Sequence, residues 1–335
     1  MKPYKDWKKS TKWLVRLTLL ILVIMLGLVA YSTWKLYDTA ATIYHPIERI
    51  SSEPRLQSAS YEHEDLKEKT TPQSAQPSTT EETTGPQVTT LLIFGIDRRP
   101  DTQDIGRTDV IMLAILNKDT NKITLTSIPR DTYVEIAGQG YSDKINAAYQ
   151  YGIETSIATV ENFTGVLVDQ YVLFNFDGFE KAIDSMGGLK LEVDSNLGEY
   201  LKISVGTQLL NGQQVLDYAR FRNDAKGDFG RNERQQNVIK AVLEQSKELR
   251  NPGKIKSILD TVGEDVRTDL DLSRIISLAS DVYDFSTEHV EQIKYNATTA
   301  RFGPRYLSYV VIDEKERKRV AELLQQSMIN EEKSK

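Results

Sequence analysis

The sequence predicts an α/β (α+β) layered domain that follows one transmembrane helix and a disordered stem. Three features lead to this prediction: an apolar run near the N-terminus, a polar tract after it, and alternating strand-like and helix-like patterns from Val88 onward. Strands that alternate with helices are typical of a sheet covered by helices. We therefore expect four regions: a cytoplasmic tail (1–12), a membrane span (13–34), an extracytoplasmic stem (35–87) and a folded domain (88–335).

The span is predicted from residues 13–34, whose middle, Leu19–Tyr31, contains no charged residue. A helix of about 20 apolar residues is long enough to cross a bilayer. Five lysines precede the run, and this bias predicts a single-pass, type II protein with its C-terminal part outside the cell membrane. A cleaved signal peptide is the alternative, but Leu28–Ser32 is a poor cleavage site because bulky aromatic residues surround its end.

The stem is predicted from composition. Residues Ser51–Gln87 are dominated by Ser, Thr, Glu, Gln and Pro, and such a tract cannot bury enough apolar area to fold alone. We expect it to be a flexible spacer, and residues 35–50 to continue as a short helix above the bilayer.

Composition excludes several kinds of chemistry. The chain has no cysteine, so it has neither disulfides nor a thiolate nucleophile, and its three histidines fall in polar stretches typical of solvated surface. The net charge is −6, and residues 1–34 carry +5, so the remainder carries −11. An acidic ectodomain is a poor partner for nucleic acid, and we expect no nucleic-acid binding.

The pattern within the domain predicts these strands: Val88–Ile96, Val110–Leu116, Lys122–Ile128, Gln170–Asn175, Leu189–Val193 and one near Tyr306–Val311. It predicts these helices: Ile145–Phe163 with a break near Gly152, Phe179–Met186, Gln213–Tyr218 behind Asn211, Asn232–Leu249, two or three further helices, and a terminal helix from Asp313. The segment 117–121 is predicted to be a hairpin turn.

Two acids stand at strand ends. Asp97 follows the first strand and Asp109 precedes the second, so an antiparallel pairing of these strands would bring both carboxylates to one sheet edge. Mg²⁺ takes one or two carboxylates together with phosphate oxygens. The alternative is that Asp97 caps a turn while Asp109 forms a surface ion pair with Arg107.

Arginines also cluster at predicted element ends. Arg130 follows the third strand, and a later stretch carries Arg220, Arg222, Asp228, Arg231, Arg234 and Gln235. In an extended segment Arg220 and Arg222 would point the same way, with Phe221 in the core. In a helix starting near Gly230, the last two arginines and Gln235 would share one face. Such guanidinium groups would repel without a polyanion between them, which favours a phosphate site over ion pairs with nearby acids.

Several motifs in order resemble the LytR-CpsA-Psr family of cell-wall proteins, and the resemblance covers about Val88–Leu249. The motifs are Gly95-x-Asp97-x-Arg99, Arg107-Thr108-Asp109, Ser127-Ile128-Pro129-Arg130-Asp131, Lys144-Ile145-Asn146-Ala147-Ala148-Tyr149, Met186-Gly187-Gly188, Leu210-Asn211-Gly212, Ala219-Arg220-Phe221-Arg222 and Arg231-x-x-Arg234-Gln235.

The resemblance implies a mixed central sheet flanked by helices, with an apolar tunnel for a prenyl chain. It implies a Mg²⁺-dependent phosphotransferase at the Gram-positive cell membrane. Such proteins move a glycopolymer, such as wall teichoic acid or capsular polysaccharide, from a polyprenyl-pyrophosphate carrier to the C6 hydroxyl of muramic acid in peptidoglycan. The helical stretches around Ile145–Phe163 and Val238–Leu243 are candidates for the tunnel, although a core-facing role is equally consistent with both.

The resemblance also implies roles for individual residues. Asp97 and Asp109 would hold Mg²⁺, and Asp228 would orient the arginines. The pyrophosphate would be bound by Arg107, Arg130, Arg220, Arg222, Arg231 and Gln235. The catalytic set would then be Asp109, Arg130, Arg220 and Arg222. Asp109 is the first candidate to accept the hydroxyl proton, and a metal-bound water is the alternative.

Other functions stay open at this point. The domain could bind polyprenyl phosphates without turnover, hydrolyse them as a pyrophosphatase, or regulate the cell envelope as an attenuator of transcription. A DNA-contacting role would require a cytoplasmic domain and a basic helix, and the lysine bias and the acidic charge argue against both.

Overall fold

The computed structural model describes residues 41–47, 87–97, 106–221, 227–246, 252–285 and 289–329. The strands within these ranges are β1 Val88–Ile96, β2 Thr108–Asn117, β3 Lys122–Ser127, β4 Tyr133–Glu135, β5 Ser142–Lys144, β6 Gln170–Asn175, β7 Leu189–Val193, β8 Gly206–Leu210, β9 Val266–Thr268, β10 Val290–Ile293, β11 Thr298–Phe302 and β12 Leu307–Val311.

The helices in the same ranges are α1 Ile153–Thr164, α2 Phe176–Ser185, α3 Ser195–Leu201, α4 Gly212–Arg220, α5 Gly227–Ser246, α6 Pro252–Val262, α7 Leu272–Asp284 and α8 Glu314–Met328. Two 3₁₀ helices, Ile145–Tyr151 and Gly263–Asp265, complete the described elements. The break predicted near Gly152 is confirmed, because this residue separates the first 3₁₀ helix from α1.

A six-stranded central sheet has the order β10-β3-β2-β1-β6-β9. Its first three strands in sequence pair antiparallel, whereas β6 runs parallel to β1 and β10 runs parallel to β3. The predicted mixed sheet flanked by helices is therefore confirmed, as is the hairpin between β2 and β3.

Helices cover both faces of this sheet. Side chains alternate along each strand, so Leu92 and Phe94 of β1 point to one face and Leu91 and Ile93 to the other. The first face packs against the first 3₁₀ helix, α1 and α8. The second face packs against α5 and α7, and this layer contains the site described below.

A smaller apolar cluster forms beside the second face. The hairpin of β7 and β8 packs with α2, α3, α4 and α5 around Leu189, Val215 and Phe221. Asn211 caps α4 with a capping box that includes Gln214, which confirms the predicted cap. This cluster fixes the direction of α4 and therefore the position of its last residue, Arg220.

Several boundaries differ from prediction. The long helix predicted to start at Asn232 begins at Gly227, and the helix predicted from Phe179 begins at Phe176. The second difference has a local cause: the Asn175 side chain accepts a hydrogen bond from Gly178 N at 2.7 Å, and this cap starts the helix directly after β6. The prediction missed six strands, each of three to five residues, because such short runs give too weak a periodic signal: β4, β5, β8, β9, β10 and β11.

Residues 41–47, which we assigned to the stem, pack on the folded domain. Ile43 is 1% exposed. His45 N donates to Thr268 O at 2.6 Å, and Tyr171 Oη donates to His45 O at 2.9 Å. This segment therefore adds to the edge of the sheet at β9 instead of serving as a spacer, because it buries the Ile43 side chain and forms backbone hydrogen bonds with the domain.

Among the described residues no helix combines the length and hydropathy needed to cross a bilayer. The predicted span at 13–34 and most of the predicted stem lie outside these residues.

Candidate functional site

Asp97 and Asp109 lie at the same edge of the central sheet. β1 and β2 pair antiparallel, with Ile96 opposite Thr108, and a bulge shifts the register between Gly95 and Ile96. Both carboxylates line one cavity of about 380 Å³. The sequence-based expectation that these acids meet is confirmed.

Arg130 also lies at the cavity mouth, where it contacts Asp109. It follows β3, and its Nη1 donates to Asp109 Oδ1. Its Nε lies 3.6 Å from Asp131 Oδ2, and Lys144 Nζ lies 2.6 Å from Asp131 Oδ1. A chain of alternating charges thus runs from the cavity to Lys144, and the hydrogen bond from Asn146 N to Arg130 O holds the loop in place.

Arg220 enters the mouth from the opposite side. Its Nη2 lies 3.9 Å from Asp97 Oδ2, and its guanidinium lies 4.7 Å from the centroid of the Phe176 ring. We expected an extended segment here, and that expectation is wrong: Arg220 is the last residue of α4. Phe221 is buried as predicted, whereas Arg222 lies outside the described residues.

Helix α5 supplies two further polar groups. Arg231 and Gln235 are one helical turn apart, are 4% and 9% exposed, and line the cavity. Arg234, expected on the same face, instead donates from Nη2 to Phe221 O at 3.1 Å and stacks on the Phe221 ring. It therefore fixes the end of α4.

Two predicted binding residues are absent from the described lining of the cavity, for different reasons. Arg107 is exposed at the start of β2 and is not among the described cavity-lining residues. Asp228 belongs to α5, but its side chain lies outside the described part of the structure.

The interior of the cavity is apolar. It lies on the second face of the sheet, beneath α4 and α5, and its apolar lining includes Ile93, Met112, Phe174, Phe179, Leu216, Val238 and Ile239. The predicted involvement of the stretch from Val238 agrees with this lining. The other candidate stretch, Ile145–Phe163, packs in the core on the opposite face, so its apolar side chains serve the core.

Two features of the site escaped sequence reasoning. Phe176 supports the Arg220 guanidinium, and Phe174 and Phe179 stack with ring centroids 5.5 Å apart in the cavity wall. The only available signal was an aromatic stretch directly after β6. The end of β6 was predicted from the sequence, but the residues that these rings support, such as Arg220, lie more than 40 residues away along the chain.

Mg²⁺ fits this site only as part of a larger complex. Within the described ranges no group of three or more His, Cys, Asp or Glu side chains is arranged to hold a metal. Asp97 and Asp109 provide two carboxylates, and Mg²⁺ commonly binds one or two carboxylates together with substrate phosphates and water. The donor set is therefore compatible with a Mg²⁺ ion that arrives with a phosphate ligand.

Comparison with known proteins identifies a family whose model matches most of the chain. The family model described as "LytR_cpsA_psr family" matches residues 53–326. The polyisoprenyl-teichoic acid--peptidoglycan teichoic acid transferase TagU of Halalkalibacterium halodurans is 39% identical over 234 residues, which cover 69% of this chain and 76% of the relative.

Solved structures have the same fold. The crystal structure of Bacillus subtilis TagV aligns with a TM-score of 0.63 and 30% identity, and the alignment covers 72% of this chain and 97% of that one. A structure described as TagT bound to LI-WTA aligns with a TM-score of 0.62 and 28% identity, over 74% of this chain and 94% of that one.

Proposed function

Because this chain belongs to the LytR_cpsA_psr family, we propose that it is a phosphotransferase that attaches a glycopolymer to peptidoglycan. The proposed donor is a polyprenyl-pyrophosphate-linked polymer such as wall teichoic acid or capsular polysaccharide. The proposed acceptor is the C6 hydroxyl of a muramic acid residue. The transferase name of the relative at 39% identity supports this choice of substrates.

One observation carries the proposal: a single cavity combines a charged mouth with an apolar interior. Arg130 and Arg220 lie at the mouth together with the two acids, the buried Arg231 also lines the cavity, and aromatic and aliphatic side chains line the rest. A prenyl pyrophosphate has the same division, with a polyanionic head and a hydrocarbon tail. Guanidinium groups bind phosphate oxygens through paired hydrogen bonds, and an apolar wall favours the tail.

The proposed reaction is a displacement at phosphorus. The acceptor oxygen forms a bond to the phosphorus that carries the glycan, and the bond from this phosphorus to the bridging oxygen breaks. Polyprenyl phosphate leaves with the bonding electrons, and the hydroxyl proton passes to the Asp109 carboxylate. Such reactions depend mainly on alignment and charge neutralisation, which the arginines provide.

The two ion pairs suit this role. Arg130 pairs with Asp109 and Arg220 with Asp97, so each guanidinium stays oriented until a phosphate oxygen replaces the carboxylate as its partner. When bound by Asp97 and Asp109, Mg²⁺ supplies further positive charge to the pyrophosphate.

A transfer assay tests the proposal. The full-length chain in detergent is incubated with Mg²⁺, a labelled prenyl-linked oligosaccharide and peptidoglycan fragments, and a phosphodiester-linked product is expected. Arg130→Ala and Asp109→Asn are each expected to lower the rate by about a hundredfold or more, because the first removes a cation that binds the pyrophosphate and the second removes the proposed proton acceptor and Mg²⁺ ligand. Chelation of Mg²⁺ by EDTA is expected to stop transfer.

Arg267→Ala is the matched control, because Arg267 is exposed on β9 at the opposite edge of the sheet from β3. Donor binding without any turnover would instead identify a binding module, and release of phosphate without a linked product would identify a pyrophosphatase. Either result would overturn the proposal.

We further propose that residues 13–34 anchor the protein in the cell membrane with its folded domain outside. A fusion of alkaline phosphatase to the C-terminus is expected to be active, since the enzyme folds only outside the cytoplasm. An inactive but stable fusion would contradict this topology.

A further inference from the structure

A cluster of aromatic rings lies on a small sheet outside the cavity. The Tyr133 ring meets Phe302 edge-on at 4.8 Å and Tyr309 at 5.2 Å between centroids. Phe302 and Tyr309 stack at 4.5 Å with an interplanar angle of 19°. We call these three residues the aromatic platform.

Strand register places the platform on one face. Tyr133 of β4 pairs with Lys144 of β5, and paired residues share a face. The preceding residue, Thr132, bridges Val310 of β12, and Val310 N donates to Asp131 O at 2.8 Å. This bridge connects the β4–β5 hairpin to the β11–β12 hairpin.

The platform presents one exposed ring, with Phe302 half-buried and Tyr309 only 9% exposed beneath it, and it has polar groups at its edge. Tyr133 is 41% exposed. Lys144 Nζ lies 5.7 Å from the centroid of the Tyr309 ring, and the Tyr309 hydroxyl lies 3.5 Å from Asp143 Oδ1. An exposed aromatic ring held by two packed rings, beside charged groups, offers a ligand a rigid apolar surface with a polar edge.

The platform is continuous with the proposed catalytic site. Asp131 contacts both Arg130 and Lys144, so one chain of charges runs from the cavity mouth to the Tyr309 ring. Arg130 and Tyr133 are three residues apart, and their Cα atoms therefore lie within about 11 Å of each other. The platform residues are absent from the described lining of the cavity, so a ligand here would lie outside it.

We infer that the aromatic platform binds sugar rings of the acceptor glycan strand. A pyranose ring has an apolar face of C–H groups and an edge of hydroxyls. The exposed Tyr133 ring matches the apolar face, and Lys144 and Asp143 match the hydroxyl edge. This inference rests on the proposed function, which supplies the glycan as second substrate.

The position of the aromatic platform favours the acceptor over the donor as its ligand. The donor is already held by its pyrophosphate at the arginines and by its tail in the cavity. The acceptor must approach the same phosphorus from outside, and it uses neither of these groups. A surface within one or two sugar lengths of Arg130 would hold its attacking hydroxyl in position.

Binding of a peptidoglycan tetrasaccharide without donor tests the inference. The probe is titrated into the full-length chain in detergent and binding is measured by calorimetry. Tyr133→Ala is expected to weaken binding about tenfold and to raise the KM for acceptor fragments with little change in kcat. Tyr133→Phe, which keeps the ring, is expected to bind nearly as the unaltered chain does.

Tyr44→Ala is the control, because Tyr44 is 40% exposed and pairs with Thr268 at the opposite edge of the central sheet. Circular dichroism melting of each variant identifies any loss of folding. Equal binding by Tyr133→Ala and the unaltered chain, or no tetrasaccharide binding at all, would overturn the inference.

A parallel titration with prenyl pyrophosphate that lacks a glycan, and one with the complete donor, separates the two proposals. If Tyr133→Ala weakens the complete donor and not the tetrasaccharide, the platform binds the donor glycan and the inference is wrong. If neither donor compound binds and no transfer occurs, the proposed function fails, while loss of tetrasaccharide binding in Tyr133→Ala would still identify a saccharide site.

Discussion

Gly212 lies where two helices of the site come into direct contact. A Cβ atom at this position would lie 2.3 Å from Glu180 O and 2.7 Å from Glu180 Cα. Gly212 N also donates to Asp184 Oδ1 at 2.7 Å, which ties the start of α4 to α2. The absence of a side chain therefore sets the distance between the helix that carries Arg220 and the helix that begins with Phe176.

Gly212→Ala is expected to destabilise the domain by about 1–3 kcal/mol, because backbone atoms must move to admit the methyl group. Urea unfolding of the full-length chain in detergent measures the change. Gln213→Ala is the control, since Gln213 is exposed at the next position of the same helix. A stability equal to that of the unaltered chain would show that the helices separate at no cost.

Residues of the site differ in how far the sequence reveals them. Asp97 and Asp109 were predictable because two adjacent strands and a short connection leave few pairing options. The helical conformation of Arg220 was not predictable, because the alternation of Arg220 and Arg222 in so short a segment is consistent with a strand or with a helix. The role of Arg234 depends on the carbonyl of Phe221, a tertiary contact that spacing within α5 does not encode.

Helix α8 shows how strongly end signals determine an element. Its N-cap, Asp313, accepts a hydrogen bond from Glu316 N at 2.8 Å, and the helix starts where the sequence predicted. Glu316 in turn accepts from Asn296 N at 2.6 Å and from Arg319 through both carboxylate oxygens. These bonds connect α8 to the segment after β10, at the edge of the central sheet.

The hydrogen bonds from the Arg319 side chain lower the pKa of Glu316 from its ordinary 4.5 to about 2. The folded state thus binds the proton less tightly than the unfolded chain does. This contribution to stability is complete above about pH 4.5 and is lost as the pH falls toward 2. Glu316→Gln is expected to lower the melting temperature at pH 7 and to make the acid-induced loss over that range shallower.

Melting temperatures between pH 7 and pH 2.5 test this prediction. Glu322→Gln is the control, because Glu322 is exposed on the same helix. Parallel pH profiles for Glu316→Gln and the unaltered chain would show that Glu316 does not contribute to the acid dependence.

Elements with a complete amphipathic face were predictable, and those that depend on neighbours were not. β1 and β6 were predicted to the residue, because each has an apolar stretch of at least four residues between clear breaks. β9 has three residues and exists as a strand through its pairing with β6. Its register comes from the assembled sheet and leaves no periodic signal in the sequence.

At the scale of the whole molecule, the two faces of the central sheet differ in what they pack against. The first face holds the larger core under α1 and α8, and the second face carries the cavity under α4 and α5. We expect substitutions in the first layer to act on stability, and those in the second to change the cavity lining as well.

The packing of residues 41–47 yields a prediction about the length of the segment that connects the proposed membrane span to the domain. If residues 13–34 span the membrane as proposed, only residues 35–40 connect the span to the domain. Insertion of a ten-residue Gly-Ser segment there is expected to reduce transfer from a donor embedded in liposomes. The same insertion near residue 70 is the control and is expected to leave transfer unchanged. Equal activity of the two variants would contradict the prediction.

Docking of Ile43 and His45 against the sheet brings the chain to the domain before the long polar tract begins. Residues 41–47 contact the domain ahead of β1, and both Ile47 and Val88 pack against the same core. An extended connection from residue 34 to residue 41 reaches at most about 25 Å. With residues 13–34 in the membrane, this short connection would keep the cavity near the lipid surface from which a prenyl tail must enter, whatever the length of the polar tract.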